Sequence, residues 1–144
     1  MKWFAVFLVL FELACSNTGK NSPAPVVCPI DFDDLALSVA KERIVGNWKL
    51  VRASSEDTSQ SVSLTYQFSD RLRILQSGNL ISESEFQIEV DLGSPVQNQL
   101  KLTYLDDRGV TQIRRIFFGN QSNCMMIQQV SVGKVESLYF QRTS

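Results

Sequence analysis

An all-β domain of about eight antiparallel strands, forming an up-and-down barrel behind one short N-terminal helix, is the fold this sequence predicts. Two observations carry it. From Ile44 onward, apolar and polar residues alternate with a period of two, the spacing of a strand with one buried and one wet face. Short clusters of Gly, Asn, Asp and Ser then cut this region into segments of strand length, so successive strands are expected to form neighbouring hairpins.

The chain opens with Lys2, nine unbroken apolar residues from Trp3 to Phe11, and then Glu12-Leu13-Ala14-Cys15. A cationic start, an apolar stretch and a small residue before a candidate cleavage point are the outline of a signal peptide, expected over residues 1–14. Nine residues span only about 14 Å as a helix, against a hydrocarbon core of roughly 30 Å, so this stretch is too short to cross a bilayer as an anchor. Ala14-Cys15 resembles the lipobox of bacterial lipoproteins, in which the cysteine receives lipids and becomes the new N-terminus. Glu12 stands where that pattern usually has an apolar residue, and plain secretion is the alternative. The resemblance implies a protein held at the cell envelope, with the membrane as partner through a lipid on Cys15.

Residues 15–27 are expected to be a flexible tether, since Asn17, Gly19, Asn21, Pro23 and Pro25 do not suit a packed element. The remainder, residues 28–144, is long enough for one core and reads as one domain. Three cysteines, Cys15, Cys28 and Cys124, leave one over in an oxidising compartment. Lipidation of Cys15 accounts for the odd one and leaves Cys28 and Cys124 as an expected disulfide pair; two free, buried thiols are the alternative.

Asp31 and Asp33 precede Leu35 to Arg43, a run of helix formers with its basic residues at the far end, which predicts a short helix capped by aspartate. Strands are expected near 44–53, 61–69, 71–76, 80–90, 99–105, 110–118, 123–131 and 135–142. The clearest is 61–69, where Val62, Leu64, Tyr66 and Phe68 alternate with Ser63, Thr65, Gln67 and Ser69. Eight strands suffice to close a barrel, which removes exposed sheet edges.

Gly46-Asn47-Trp48, set just after the helix and at the start of the first long strand, resembles the Gly-x-Trp signature of lipocalins and of lipocalin-like domains in bacterial lipoproteins. In that family an arginine from late in the domain lies across the tryptophan, and Arg142 matches its position. The second family signature, a Thr-Asp-Tyr type motif, has no counterpart. The resemblance implies a barrel floor built from Gly46, Trp48 and Arg142, and a cavity for a small hydrophobic ligand. Tyr66, Phe68, Phe86, Ile88, Leu102 and Tyr104 are the cavity candidates on the inward faces. A barrel filled solid by its own side chains, acting as a structural or interaction protein of the envelope, is the alternative.

Other chemistry finds little support. Fourteen Lys and Arg against fifteen Asp and Glu give a net charge of -1 without a basic stripe, so no nucleic-acid partner is expected. The chain has no histidine, the usual general base and commonest metal ligand. Asp106-Asp107 sits where tight turns favour aspartate, and the Asp31-Phe32-Asp33-Asp34 segment lacks the glycine and distal glutamate of a calcium loop. No catalytic residue, metal or cofactor is therefore expected. Arg114 and Arg115, adjacent on one strand, must point to opposite faces and read as solubilising charges.

Overall fold

The computed structural model describes residues 32–33, 35–54, 63–119 and 123–144. The expected signal segment and tether, with Cys15 and Cys28, lie outside the described residues. In chain order the elements are β1 (Phe32–Asp33), α1 (Leu37–Ile44), β2 (Gly46–Ala53), β3 (Leu64–Phe68), β4 (Leu72–Gln76), β5 (Asn79–Ser84), β6 (Phe86–Val90), β7 (Leu100–Leu105), β8 (Thr111–Gly119), β9 (Cys124–Ser131) and β10 (Lys134–Thr143).

The strands form one antiparallel sheet in the order β5-β4-β3-β2-β10-β9-β8-β7-β6. Every neighbour is consecutive in the chain except β2 and β10, whose pairing joins the first long strand to the last and rolls the meander into a barrel. The two ends of this order, β5 and β6, are separated only by Glu85. They amount to one long strand whose first half bonds to β4 and whose second half bonds to β7. Across the remaining seam, the Ser82 hydroxyl donates to the carbonyl of Leu105 at 3.4 Å. The result is a nearly closed barrel of eight walls, with the corner at Glu85.

One expectation for the helix is corrected. Its N-cap is Ala36, not an aspartate, and no side chain caps it; the first turn closes through Ala40 N–H donating to the Ala36 carbonyl at 3.0 Å. The backbone at Phe32–Asp33 is drawn instead into a two-residue ladder with Phe118 and Gly119 of β8, so the helix begins beyond the aspartates. Lys41 and Arg43 occupy its last turn, where the helix dipole favours cations. Ala40 and Ile44 are buried against the barrel and fix the helix across one end.

That end also carries the Ser69–Arg71 turn and the 91–99 connection. The opposite end carries the Ser77-Gly78 hairpin, the Asp106–Val110 turn and the Val132-Gly133 hairpin. Between them the inward side chains interlock. Trp48, Phe68, Leu72, Leu102, Ile116, Phe118, Met125 and Phe140 are each 2% exposed or less. Burial of each large side chain of this kind stabilises by roughly 1.5–3 kcal/mol.

Candidate functional site at the open end of the barrel

The helix end is plugged. Gly46 takes φ +135°, a backbone conformation that side chains with a Cβ rarely adopt. This lets β2 leave the helix sharply and drop Trp48 into the barrel axis. The Trp48 indole N–H donates to the Ile44 carbonyl at 2.7 Å, so its one polar atom is satisfied while the residue is fully buried. Arg142, opposite Trp48 across the β2–β10 ladder, places its guanidinium carbon 4.8 Å from the indole centroid. Its Nη2 also donates to the Arg43 carbonyl at the end of α1. Phe118 packs edge-on against the indole, with centroids 6.2 Å apart.

The other end is open. A recess of about 470 Å³ lies between Leu64, Tyr66, Ile74 and Ile81 on one side and Tyr104, Gln112, Arg114 and Gln129 on the other. A smaller hollow of about 70 Å³ continues inward, sharing Tyr66, Tyr104, Arg114 and Gln129 and adding Glu136 and Leu138.

The strand register explains why this end differs from the floor. Inward positions on β8 run from Phe118 and Ile116 to Arg114 and Gln112. Those on β9 run from Met125 and Ile127 to Gln129, and those on β10 from Phe140 and Leu138 to Glu136. Three adjacent strands thus change from apolar to polar at the same height. The facing wall is apolar at Leu64 of β3, Ile74 of β4 and Ile81 of β5, with Ser82 beside them.

Arg114 is held in place from the rim. Its Nη2 donates to Gln112 Oε1 at 2.6 Å, and Gln112 Nε2 donates to Asp106 Oδ2 at 2.7 Å. Asp106 Oδ1 meanwhile accepts from the backbone N–H groups of Arg108 and Val110, both at 2.9 Å, which fixes the turn. These backbone bonds, led by that from Val110, hold the Asp106 carboxyl below its ordinary range, assisted by Gln112 and the Arg108 charge. At the base of the recess, the Tyr66 and Tyr104 rings meet edge to face at 6.5 Å. Burial pushes the Tyr66 phenol well above its ordinary value; Tyr104 beside it pushes the same way, and the Arg114 charge pulls back.

The six cavity candidates separate in space. Tyr66 and Tyr104 line the open-end recess. Phe68 and Leu102 lie in the packed middle, 2% and 0% exposed. Phe86 packs edge-on to Phe68 and, with Ile88, lines a different hollow of about 420 Å³ beside Lys41 and Ile44 of the helix and Val45 just after it. Cys124 begins β9 and is buried. Arg71 and Arg73 share Glu83 on the outer surface, at 3.2 and 3.4 Å. No group of three or more potential metal ligands occurs among the described residues.

Sequence reasoning missed Arg114, Gln112 and Gln129. Parity gave no signal on β8: Arg114 shares its face with Ile116 and Phe118, but Arg115 shares its own with Ile113 and Phe117. Around the outside of the same end, Leu105, Val110, Ile113 and Val132 are exposed, Val132 fully so at its hairpin tip.

Comparison with protein-family models, with curated proteins and with solved structures yields no match.

Proposed function

We propose that this chain is an exported, lipid-anchored protein of lipocalin-like type that carries a small hydrophobic molecule in the open end of its barrel. The observation that carries this reading is the recess of about 470 Å³ at the end away from the Trp48 plug. Its size falls in the range of roughly 300–1,000 Å³ typical of small-molecule sites, and it sets the aliphatic Leu64, Ile74 and Ile81 across from polar and charged groups. The signal segment and Cys15 support placement at the envelope, and the exposed aliphatic side chains around the mouth suit work beside a lipid surface. Cys28 and Cys124 are proposed to be bridged, clipping the start of the domain to β9. The proposed role is carriage without catalysis.

A second reading has its own observation. Most of the barrel is filled by its own side chains from Trp48 up to Phe140 and Leu102, which suits an envelope scaffold that needs no ligand. Titration with the neutral fluorophore N-phenyl-1-naphthylamine separates the two. Carriage gives saturable one-to-one binding that Ser82→Trp, which places an indole in the recess lining, abolishes while circular dichroism still shows a folded barrel. Absence of saturable binding, or binding unchanged by Ser82→Trp, favours the solid barrel.

A further inference from the structure

We propose that the recess selects amphiphiles with a single carboxylate head, and that Arg114 binds that head. The inference rests on the reading of the recess as a ligand site and adds the chemistry of its occupant.

Arg114 is half-buried, faces inward, and is shared by both parts of the recess. None of the ion pairs among the described residues includes it; the cations they use are Arg71, Arg73, Lys101 and Arg108. A guanidinium carries five N–H donors in a planar fork. Its bonds here take one to Gln112 from Nη2 and one to the adjacent Ile113 carbonyl from Nη1, at 3.2 Å. The remaining donors belong to a positive group that the Asp106–Gln112 chain already orients, so little further ordering is needed on binding.

The surrounding charges decide the class of anion. Arg108, largely exposed, lies 3.5 Å from Asp106, Asp106 is committed to the turn and to Gln112, and Asp107 adds a further carboxylate to the lining. Glu136 stands further round the same row: Gln129 pairs with Glu136, and both line the inner hollow together with Arg114. One oriented cation among these acids can compensate one negative charge but not a phosphate dianion. A carboxylate also matches the planar fork with two parallel bonds. The tail has a place opposite, where Leu64, Ile74 and Ile81 form the apolar wall and the Tyr66 and Tyr104 rings form the base. A cationic head in the same position would face Arg114 and be repelled.

The test compares three head groups on one tail. The full chain, labelled with ¹⁵N, is titrated with octanoate, 1-octanol and octylamine at pH 7, and amide and arginine side-chain shifts are followed. Octanoate is expected to bind at least about tenfold more tightly than octanol, as charge-assisted hydrogen bonds imply, and to move the Arg114 Nε–H signal. Octylamine is expected to bind most weakly. Arg114→Gln is expected to bring octanoate down to the octanol level. Equal binding of octanoate and octanol to the unaltered protein, or preference for octanoate that survives Arg114→Gln, overturns the carboxylate assignment while leaving the recess as a site. Failure of all three ligands to bind overturns the recess reading itself.

Discussion

The guanidinium of Arg142 lies over the face of Trp48, 4.8 Å from the ring centroid, while its Nη2 bonds to the Arg43 carbonyl at the end of the helix. One side chain from the last strand thus ties together the first long strand, the helix and the C-terminal edge of the barrel. Arg142→Met keeps the apolar stem but removes both interactions, and is expected to lower unfolding stability by about 2–3 kcal/mol. Arg142→Lys restores a charge without the planar fork and is expected to fall between the two. Urea denaturation followed by Trp48 fluorescence measures both; an unchanged midpoint for Arg142→Met contradicts the role given to this contact.

Gly46 makes the turn into β2 at φ +135°. A Cβ there would meet only Arg142 side-chain atoms at 3.9 Å, an ordinary contact, so the penalty lies in the backbone and not in crowding. Gly46→Ala is expected to cost about 1–3 kcal/mol, measured by thermal melting. Gly46→Ser should cost the same within error, because side-chain size is not the issue; a much larger loss for Ser would point to crowding instead.

If Cys28 and Cys124 are bridged, a Cys15→Ser protein purified without reductant exposes no reactive thiol in denaturant. Chain-entropy arguments put the stabilisation on the order of 4 kcal/mol for so long a loop. Cys124→Ser should then lower the melting temperature and release one thiol, that of Cys28. Two thiols titrating in the unreduced Cys15→Ser protein would contradict the pairing.

Tyr66 holds its proton more tightly in the fold than in the unfolded chain, chiefly through burial. A raised folded value means that its contribution to stability is complete below the unfolded tyrosine value of about 10 and is lost as pH rises through the higher folded value. Ultraviolet titration should show a late phenol that is missing in Tyr66→Phe. Denaturation between pH 9 and 11.5 should show a loss of stability that Tyr66→Phe reduces. An alkaline profile unaltered by Tyr66→Phe would count against its buried position at the base of the recess.

Most of the fold was legible because seven of the eight predicted segments map onto single strands, and the eighth, near 80–90, maps onto β5 and β6 together. The break at Glu85 left no mark in the sequence: alternation continues through it, and only the change of hydrogen-bonding partner from β4 to β7 divides the strand. β1 was not foreseen, since two residues are too few to show a period. The helix cap was misjudged because local preference for aspartate yields to the ladder that Asp33 forms with Phe118. At the site, parity placed Tyr66 and Tyr104 inside. It did not separate Arg114 from Arg115, because β8 carries Ile113 and Phe117 on the opposite parity to Ile116 and Phe118, so neither face reads as wet. β9 begins with the same difficulty, burying Cys124, Met125, Met126 and Ile127 in succession. How far inward residues stay apolar along each strand depends on which strands align, and that register is a tertiary property.

The central claim, that the open end carries a small molecule, is tested most directly by native mass spectrometry of the full-length protein purified from its own host, before and after gentle denaturation. Lipid on Cys15 is covalent and stays with the chain in both spectra, whereas a carried ligand leaves on unfolding. Carriage predicts an additional mass lost on denaturation and recovered as an amphiphile with one carboxylate. Identical masses in the native and denatured spectra would contradict it and leave the solid envelope scaffold as the better account.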